Sequence, residues 1–166
     1  MSNFLFGRQP YMITMMCAIL CACNPSQSEE EMLPDSPTEL RGAAAIGVRV
    51  SGEEQAYTFT VEVKSPDLGC TQYADWWEVI TSDSVLLYRR ILAHSHVDDQ
   101  PFKRSGGPVR ISASQEIIIR AHMNNLGYGQ SSLQGSVQDG FTKDTLAPDF
   151  ASHLAVEQPL PGDCPH

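Results

Sequence analysis

Apolar residues occur at every second position along much of the chain after Ile46, which is the period of a β-strand. In residues 57–63, tyrosine, phenylalanine and two valines alternate with threonine and glutamate. Residues 46–50 show the same alternation, and the intervening Ser-Gly-Glu-Glu of residues 51–54 is typical of a turn. These segments predict a β-hairpin with one apolar face.

Further short strands are predicted downstream of this hairpin. They cover residues 75–81, 85 to about 93, 109–112, 116–123 and 133–137, with a loop carrying Asp98, Asp99, Pro101 and Gly106 to Pro108 between the second and the third. The tail after Phe141 is proline-rich and predicted to be irregular, apart from a helical turn near residues 150–155. About seven short strands without a long helix predict an all-β fold. The leading expectation is a single antiparallel β-sandwich, immunoglobulin or fibronectin-like, and a small closed barrel is the alternative.

The N-terminal pattern is different. An apolar run from Tyr11 to Ala22 follows Arg8, which is the pattern of an export signal and too short for a transmembrane span. The run ends in Leu-Cys-Ala-Cys, which resembles a lipobox and implies a diacylglycerol on Cys23 after removal of a signal peptide over residues 1–22. An ordinary secretory signal is the alternative. Asn24 favours the outer membrane, with the protein facing the periplasm or the cell surface.

The charge distribution divides the remaining chain. Removing residues 1–22 leaves ten Lys and Arg against twenty Asp and Glu, a net charge of about −10. This acidity argues against nucleic acid or anionic lipid as a partner, so the expected membrane contact is the N-terminal lipid. Much of the acidic excess lies in residues 23–44, which predicts a flexible tether, and residues 45–166 are predicted to form the domain.

Two cysteines remain in the predicted domain. An oxidising compartment favours a disulfide between Cys70 and Cys164, which would tie the C-terminal tail to the sandwich. Two free or metal-binding thiols are the alternative for a reducing compartment.

Histidines provide the main candidate site. His94 and His96 are two positions apart, so both side chains project to one side of an extended chain. Arg120, His122 and Asn124 share the face of their strand that is opposite its apolar side. If the two strands meet, the three imidazoles could bind copper or zinc. A polar site without a metal and a structural role for the histidines are the alternatives, and no cofactor is certain.

Arg104 and Trp76 are further candidates. Arg104 lies in Gln-Pro-Phe-Lys-Arg-Ser-Gly-Gly-Pro, where glycine amides and a guanidinium could bind an anion, or where the arginine is only a surface residue. Trp77 is expected in the core, which places Trp76 on the outer face with Glu78. There it is either an exposed platform for a ligand or a residue covered by the C-terminal tail.

The strings YADWWEV, HSHV, QPFKRSGGPV and RAHMNNLGYG resemble a group of uncharacterised bacterial secreted or lipid-anchored proteins. No activity is attached to that group, so the resemblance implies no catalytic residues. The mature chain has no GxSxG, HExxH, phosphate-binding glycine loop or CxxC motif. The leading hypothesis is a lipid-anchored cell-envelope module that binds a protein or small-molecule partner. A hydrolase-like enzyme using the His and Arg face, or a purely structural lipoprotein, is the alternative.

Overall fold

The computed structural model describes residues 42–164. The signal peptide, Cys23 and the tether up to residue 41 lie outside the described residues, so the predictions about them stay predictions. Among the described residues no helix has the length and apolar character that crossing a membrane requires.

Residues 42–164 contain nine strands and one short 3-10 helix. The strands are β1 (Ala44–Ser51), β2 (Tyr57–Lys64), β3 (Ala74–Ile80), β4 (Leu86–Ile91), β5 (Phe102–Val109), β6 (Ile117–Met123), β7 (Gly127–Tyr128), β8 (Ser131–Ser136) and β9 (Gly140–Thr145), and the 3-10 helix is Ser152–Val156. The predicted hairpin is confirmed as β1 and β2, which pair antiparallel.

The strands form two antiparallel sheets. One has the order β1-β2-β5, and the other has the order β4-β3-β6-β8-β9 with β7 paired to β6. Strands β1, β2 and β5 facing β4, β3, β6 and β8 reproduce the order of an immunoglobulin or fibronectin-like sandwich, to which β9 is added. This confirms the predicted fold class and excludes the closed barrel.

The core lies between the two sheets and follows the period of two. On β6, the predicted apolar face is confirmed, since Ile117, Ile119, Ala121 and Met123 all belong to the main buried cluster. Trp77 is fully buried at the centre of β3, as expected. Burial of these large apolar side chains is the main favourable term in folding.

The glycine and proline segment is not a loop. Residues 102–109 form β5, and residues 110–112 are not part of a strand, so both expectations for this region are wrong. β5 ends its sheet with β2 as its neighbour, and an edge strand tolerates the missing N–H of Pro108. Gly106 allows β5 to approach β4, because a Cβ there would lie 2.6 Å from the hydroxyl of Tyr88.

The C-terminal region is more ordered than the sequence suggests. Residues 140–145, predicted to lie largely within an irregular tail, form the edge strand β9. The helical turn expected near residues 150–155 is confirmed as the 3-10 helix. The disulfide between Cys70 and Cys164 is also confirmed, with 5.7 Å between the two Cα atoms.

Candidate functional site

A buried ion triad lies on the outer face of the larger sheet. Glu78 on β3 is directly opposite Arg89 on β4 and Arg120 on β6. The carboxylate accepts from Nη2 of Arg89 at 2.6 Å and from Nε of Arg120 at 2.8 Å, and none of the three side chains is more than 1% exposed. Two cations and one anion leave a net positive charge that other groups must compensate.

The C-terminal segment supplies that compensation. We call residues 146–164 the C-terminal strap, because this segment crosses the outer face and ends at the disulfide. Arg120 donates to the carbonyls of Phe150 and Ala151 at 2.6 and 2.9 Å. Arg89 donates to the carbonyl of Leu154 at 2.7 Å, and it also reaches the carbonyls of residues 157 and 159. Main-chain oxygens of the strap thus satisfy both guanidinium groups.

His122 belongs to this covered face and not to an open site. Its Nδ1 lies 2.7 Å from a carboxylate oxygen of Asp75, and its ring stacks on Trp76 with 3.6 Å between ring centroids. The guanidinium of Arg89 lies over the Trp76 ring, 4.4 Å from the ring centroid. Burial raises the pKa of Tyr128 far above its ordinary range, so its hydroxyl stays protonated beside this network.

Arg120 and His122 lie on the outer face of the larger sheet, but both side chains are buried, which argues against the predicted open site. Arg120 is 1% exposed and is bonded to the strap, whereas His122 is 7% exposed and packs between Trp76 and Tyr128. Of the two alternatives for Trp76, the structure has the covered one, with the indole N–H donating to Glu78 at 3.1 Å. Asn124 instead holds the loop that precedes β3. Its Nδ2 donates to the carbonyl of Cys70, and its Oδ1 accepts from the N–H of Tyr73.

Three loops meet at one end of the sandwich. We call this surface the loop end, formed by residues 65–73, 92–101 and 124–126. Gly69 N–H donates to the hydroxyl of Ser95, and His96 N–H donates to the carboxylate of Asp67 at 2.8 Å. Asn125 bonds Gln72 at 3.0 Å, which connects the third loop to the first. The disulfide adds a covalent tie from the first loop to the strap, so the loop end is pre-organised.

The loop end carries apolar side chains that the fold does not bury. Leu68, Val97 and Leu126 are 71%, 51% and 54% exposed, and each belongs to a different one of the three loops. Singly exposed apolar residues are common on protein surfaces. Here each of three loops presents one, and the first loop is hydrogen-bonded to the other two. Loops clustered at one end of a sandwich domain commonly form recognition surfaces.

His94 and His96 belong to the second loop of the loop end. Their ring centroids are 4.7 Å apart, and His96 stacks on Phe102 with 3.7 Å between centroids. His96 is 5% exposed, and its Nε2 lies 2.6 Å from Nη2 of Arg104. Burial, and then the positive charge of Arg104 and the neighbouring His94, lowers the pKa of His96, while Asp67 and Asp99 oppose this shift.

The three candidate histidines do not form one cluster. His94 and His96 are neighbours, whereas His122 bonds Asp75 beneath the strap. Within residues 42–164, no group of three or more His, Cys, Asp and Glu side chains is arranged to hold a metal ion. The condition on which the three-histidine site depended is therefore not met among the described residues, and copper or zinc binding stays a prediction.

Several residues important to these networks, among them Asp67, Asp75 and Arg89, were not identified as candidates from the sequence. Asp67 follows a proline in a turn, where an aspartate commonly accepts from nearby main-chain N–H groups, so its position was a usable signal. Asp75 precedes the tryptophan pair, and nothing in the local pattern reveals that it pairs with His122 on another strand. Contacts of this kind depend on strand register.

One comparison with known proteins gives a relative. The chain is 32% identical over 137 residues to a "Putative lipoprotein" of Halomicrobium mukohataei, an alignment that covers 78% of this chain. The chain spans 62% of that relative's length. No family model matches the sequence, and no solved structure matches it. The similarity supports the coarser prediction, a lipoprotein of unknown function, and is silent on ligand, metal and membrane side.

Proposed function

We propose that this protein is a lipid-anchored recognition module of the cell envelope and that the loop end binds a protein partner. The observation that carries the proposal is the set of three loops, in which the first loop is hydrogen-bonded to each of the other two and every loop presents an exposed apolar side chain. A pre-organised surface loses less conformational entropy on binding than a mobile one. Mixed apolar and polar side chains suit a protein surface, and the acidity of the chain opposes nucleic acid.

The anchor belongs to the same proposal. The first residue of β1, Ala44, pairs with Lys64 at the end of β2, so the described chain begins at the same end as the three loops. Eighteen residues separate Cys23 from Gly42, which sets an upper limit of about 65 Å on the distance from lipid to domain. The proposed partner is therefore close to the membrane, and the outer membrane is the proposed location.

The anchor is tested with wild type and a Cys23→Ser variant. Wild type should fractionate with membranes and yield an N-terminal peptide carrying lipid on Cys23, whereas Cys23→Ser should be released by high salt. Equal membrane retention of the two proteins would refute the anchor.

The recognition surface is tested by placing a photo-crosslinking amino acid singly at Leu68, Val97 and Leu126 in the anchored protein. Val85 is the matched control, because it is 51% exposed but lies in the turn between β3 and β4 at the opposite end. Crosslinks from all three loop positions to one and the same envelope protein, absent at Val85, would support the proposal. Equal or absent crosslinking at the two ends would overturn it.

The envelope-hydrolase alternative gains little from the geometry. The buried pair of Asp75 and His122 resembles the orienting half of a catalytic triad. The hydrogen bonds that His122 makes within residues 42–164 include none to a serine, threonine or cysteine side chain, so no nucleophile of that kind is in place. Both side chains of this pair are also buried.

A further inference from the structure

Arg104 is held in a fixed orientation beside the loop end. Its guanidinium lies 5.4 Å from the ring centroid of Phe102, and its Nη1 donates to the carbonyl of Lys103 at 2.8 Å. The third contact is the one between Nη2 and Nε2 of His96 at 2.6 Å. Arginine side chains on a surface usually sample many rotamers, so three contacts on one guanidinium make it unusually well positioned.

The contact with His96 determines the protonation state of that ring. A guanidinium has only donors, so Nε2 of His96 must accept and the imidazole must be neutral. The buried position of His96 and its stacking on Phe102 favour the same neutral form. Arg104 is consequently held by three neutral groups, which orient its charge without cancelling it.

No carboxylate neutralises Arg104 within the described part of the chain. The ion pairs there involve Arg89, Arg120, Lys103 and His122 and leave Arg104 out. Asp67 lies near His96, but its oxygens accept from the N–H groups of Ala74 and His96. A guanidinium has five N–H donors, and the hydrogen bonds described above account for two of them.

His94 adds a second donor to the same cluster, because both His94 and Arg104 contact His96. Its imidazole is exposed, and its ring centroid is 4.7 Å from that of His96, the residue that Arg104 also contacts. Carboxylate and phosphate groups are the ligands that match a guanidinium fork, because two of their oxygens can accept two parallel N–H bonds. An exposed imidazole N–H beside the fork can bind a third oxygen.

We propose that Arg104 and His94 form an anion-binding site that accepts a carboxylate or phosphate group of a ligand. His96 and Phe102 are positioning residues in this site, since they orient the guanidinium and do not themselves contact the anion. The site includes His94 of the loop end and Arg104 beside it. It rests on the proposed function only in assigning the anion to the partner that binds at the loop end. The exposed Asp98 and Asp99 nearby favour a small, directional anionic group over a strongly acidic surface.

The test uses the mature chain with Cys23→Ser, observed by NMR through the arginine Nε–Hε and histidine Cε1–Hε1 signals. Acetate and inorganic phosphate are titrated separately at constant ionic strength maintained with sodium chloride. The site predicts a saturable shift of the Arg104 and His94 signals with at least one of the two anions, and the two arms show which group is preferred. A linear shift of Arg104, equal to that produced by sodium chloride alone, would overturn the proposal.

Arg104→Gln should weaken anion binding at least tenfold. Arg90→Gln is the matched control: Arg90 is an exposed arginine whose Nε bonds the carbonyl of Ser105 on β5, so the same charge is lost close by. Binding in Arg90→Gln should stay within about twofold of wild type, because solvent and salt screen an exposed charge that does not itself bind the anion. Equal losses in the two variants would reduce the effect to net charge and refute the site.

Arg104→Lys provides a second test of the site in case Arg104→Gln does not fold. Lysine keeps the charge but lacks the planar fork, so it should bind more weakly than wild type and more tightly than Arg104→Gln. Full binding in Arg104→Lys would contradict the fork geometry. Saturable anion binding without loop-end crosslinks would refute the proposed function alone, and crosslinks without anion binding would refute only the site.

Discussion

Replacing Glu78 with glutamine tests how much the buried triad beneath the C-terminal strap contributes to the free energy of unfolding. The carboxylate accepts from Trp76 Nε1 at 3.1 Å, from Arg89 Nε and Nη2 at 2.9 and 2.6 Å, and from Arg120 Nε at 2.8 Å. An amide retains one acceptor oxygen but presents an NH2 group to one guanidinium, and it removes the only negative charge of the triad. Both arginines then remain buried with no anion between them.

The expected loss is large. Breaking a buried ion pair by removing one partner costs about 3–5 kcal/mol, since the remaining charge is desolvated without compensation. For a domain of this size, that loss corresponds to a decrease of about 10–20 °C in melting temperature. The burial of Glu78, which is fully inaccessible, means that solvent cannot screen the remaining charges.

Urea unfolding of the Cys23→Ser chain, followed by tryptophan fluorescence, measures the change in the free energy of unfolding. Glu62→Gln is the matched control, because its partner Lys103 is 3.7 Å away and 64% exposed, and such a surface pair contributes less than about 1 kcal/mol. A decrease below about 1 kcal/mol in Glu78→Gln, or equal decreases in both variants, would refute the reasoning about the triad.

Three further predictions concern other parts of the fold. Replacing Cys70 and Cys164 with serine should lower the free energy of unfolding by about 4–5 kcal/mol, since the bridge closes a loop of 94 residues. Calorimetry that shows a decrease of less than about 1 kcal/mol would contradict this. Because the pKa of His96 is lowered from 6.5, the unfolded chain binds more protons on acidification. The contribution of His96 to the free energy of unfolding should be fully present above about pH 6.5 and should decrease as the pH falls below that value. His96→Phe should reduce this pH dependence in urea titrations, and an unchanged pH dependence would argue against the prediction. Gly106→Ala should lower the free energy of unfolding, measured by thermal unfolding, by about 1–3 kcal/mol, because the new Cβ would lie 2.6 Å from the hydroxyl of Tyr88. Gly162→Ala is the control and should be neutral, because a Cβ there has no heavy atom within 4 Å. Equal effects of the two substitutions would be inconsistent with the close approach of β5 to β4.

The segment 102–109 shows where local pattern was insufficient. Its glycines and proline predicted a loop, since these residues are usually found in turns. Two features of the assembled fold make it a strand: it lies at a sheet edge, where the N–H of Pro108 is not required, and Gly106 lies against Tyr88 on β4. Neither feature is visible from one segment of sequence.

The histidines show the same limitation for the candidate site. The spacing of His94 and His96 correctly predicted two adjacent imidazoles, because side chains two apart share a side of an extended chain. Whether His122 joins them depends on the register of β6 against β3, which places it opposite Trp76 and next to Asp75. That register is a tertiary property.

The sequence by itself determined the fold class, the core face of β6 and the pairing of Cys70 with Cys164, because these follow from the period of two, burial of apolar surface and the cysteine count. It also predicted the lipid anchor, which the similarity to a lipoprotein supports at a coarse level. The tertiary structure alone decided that Arg120 and His122 are covered. The burial of Arg120 depends on carbonyl groups of the strap, and that of His122 on packing against Trp76 and Tyr128. A pattern of side chains along the sequence shows neither contact. For the same reason, only the folded chain reveals Arg104 as an oriented and un-neutralised charge.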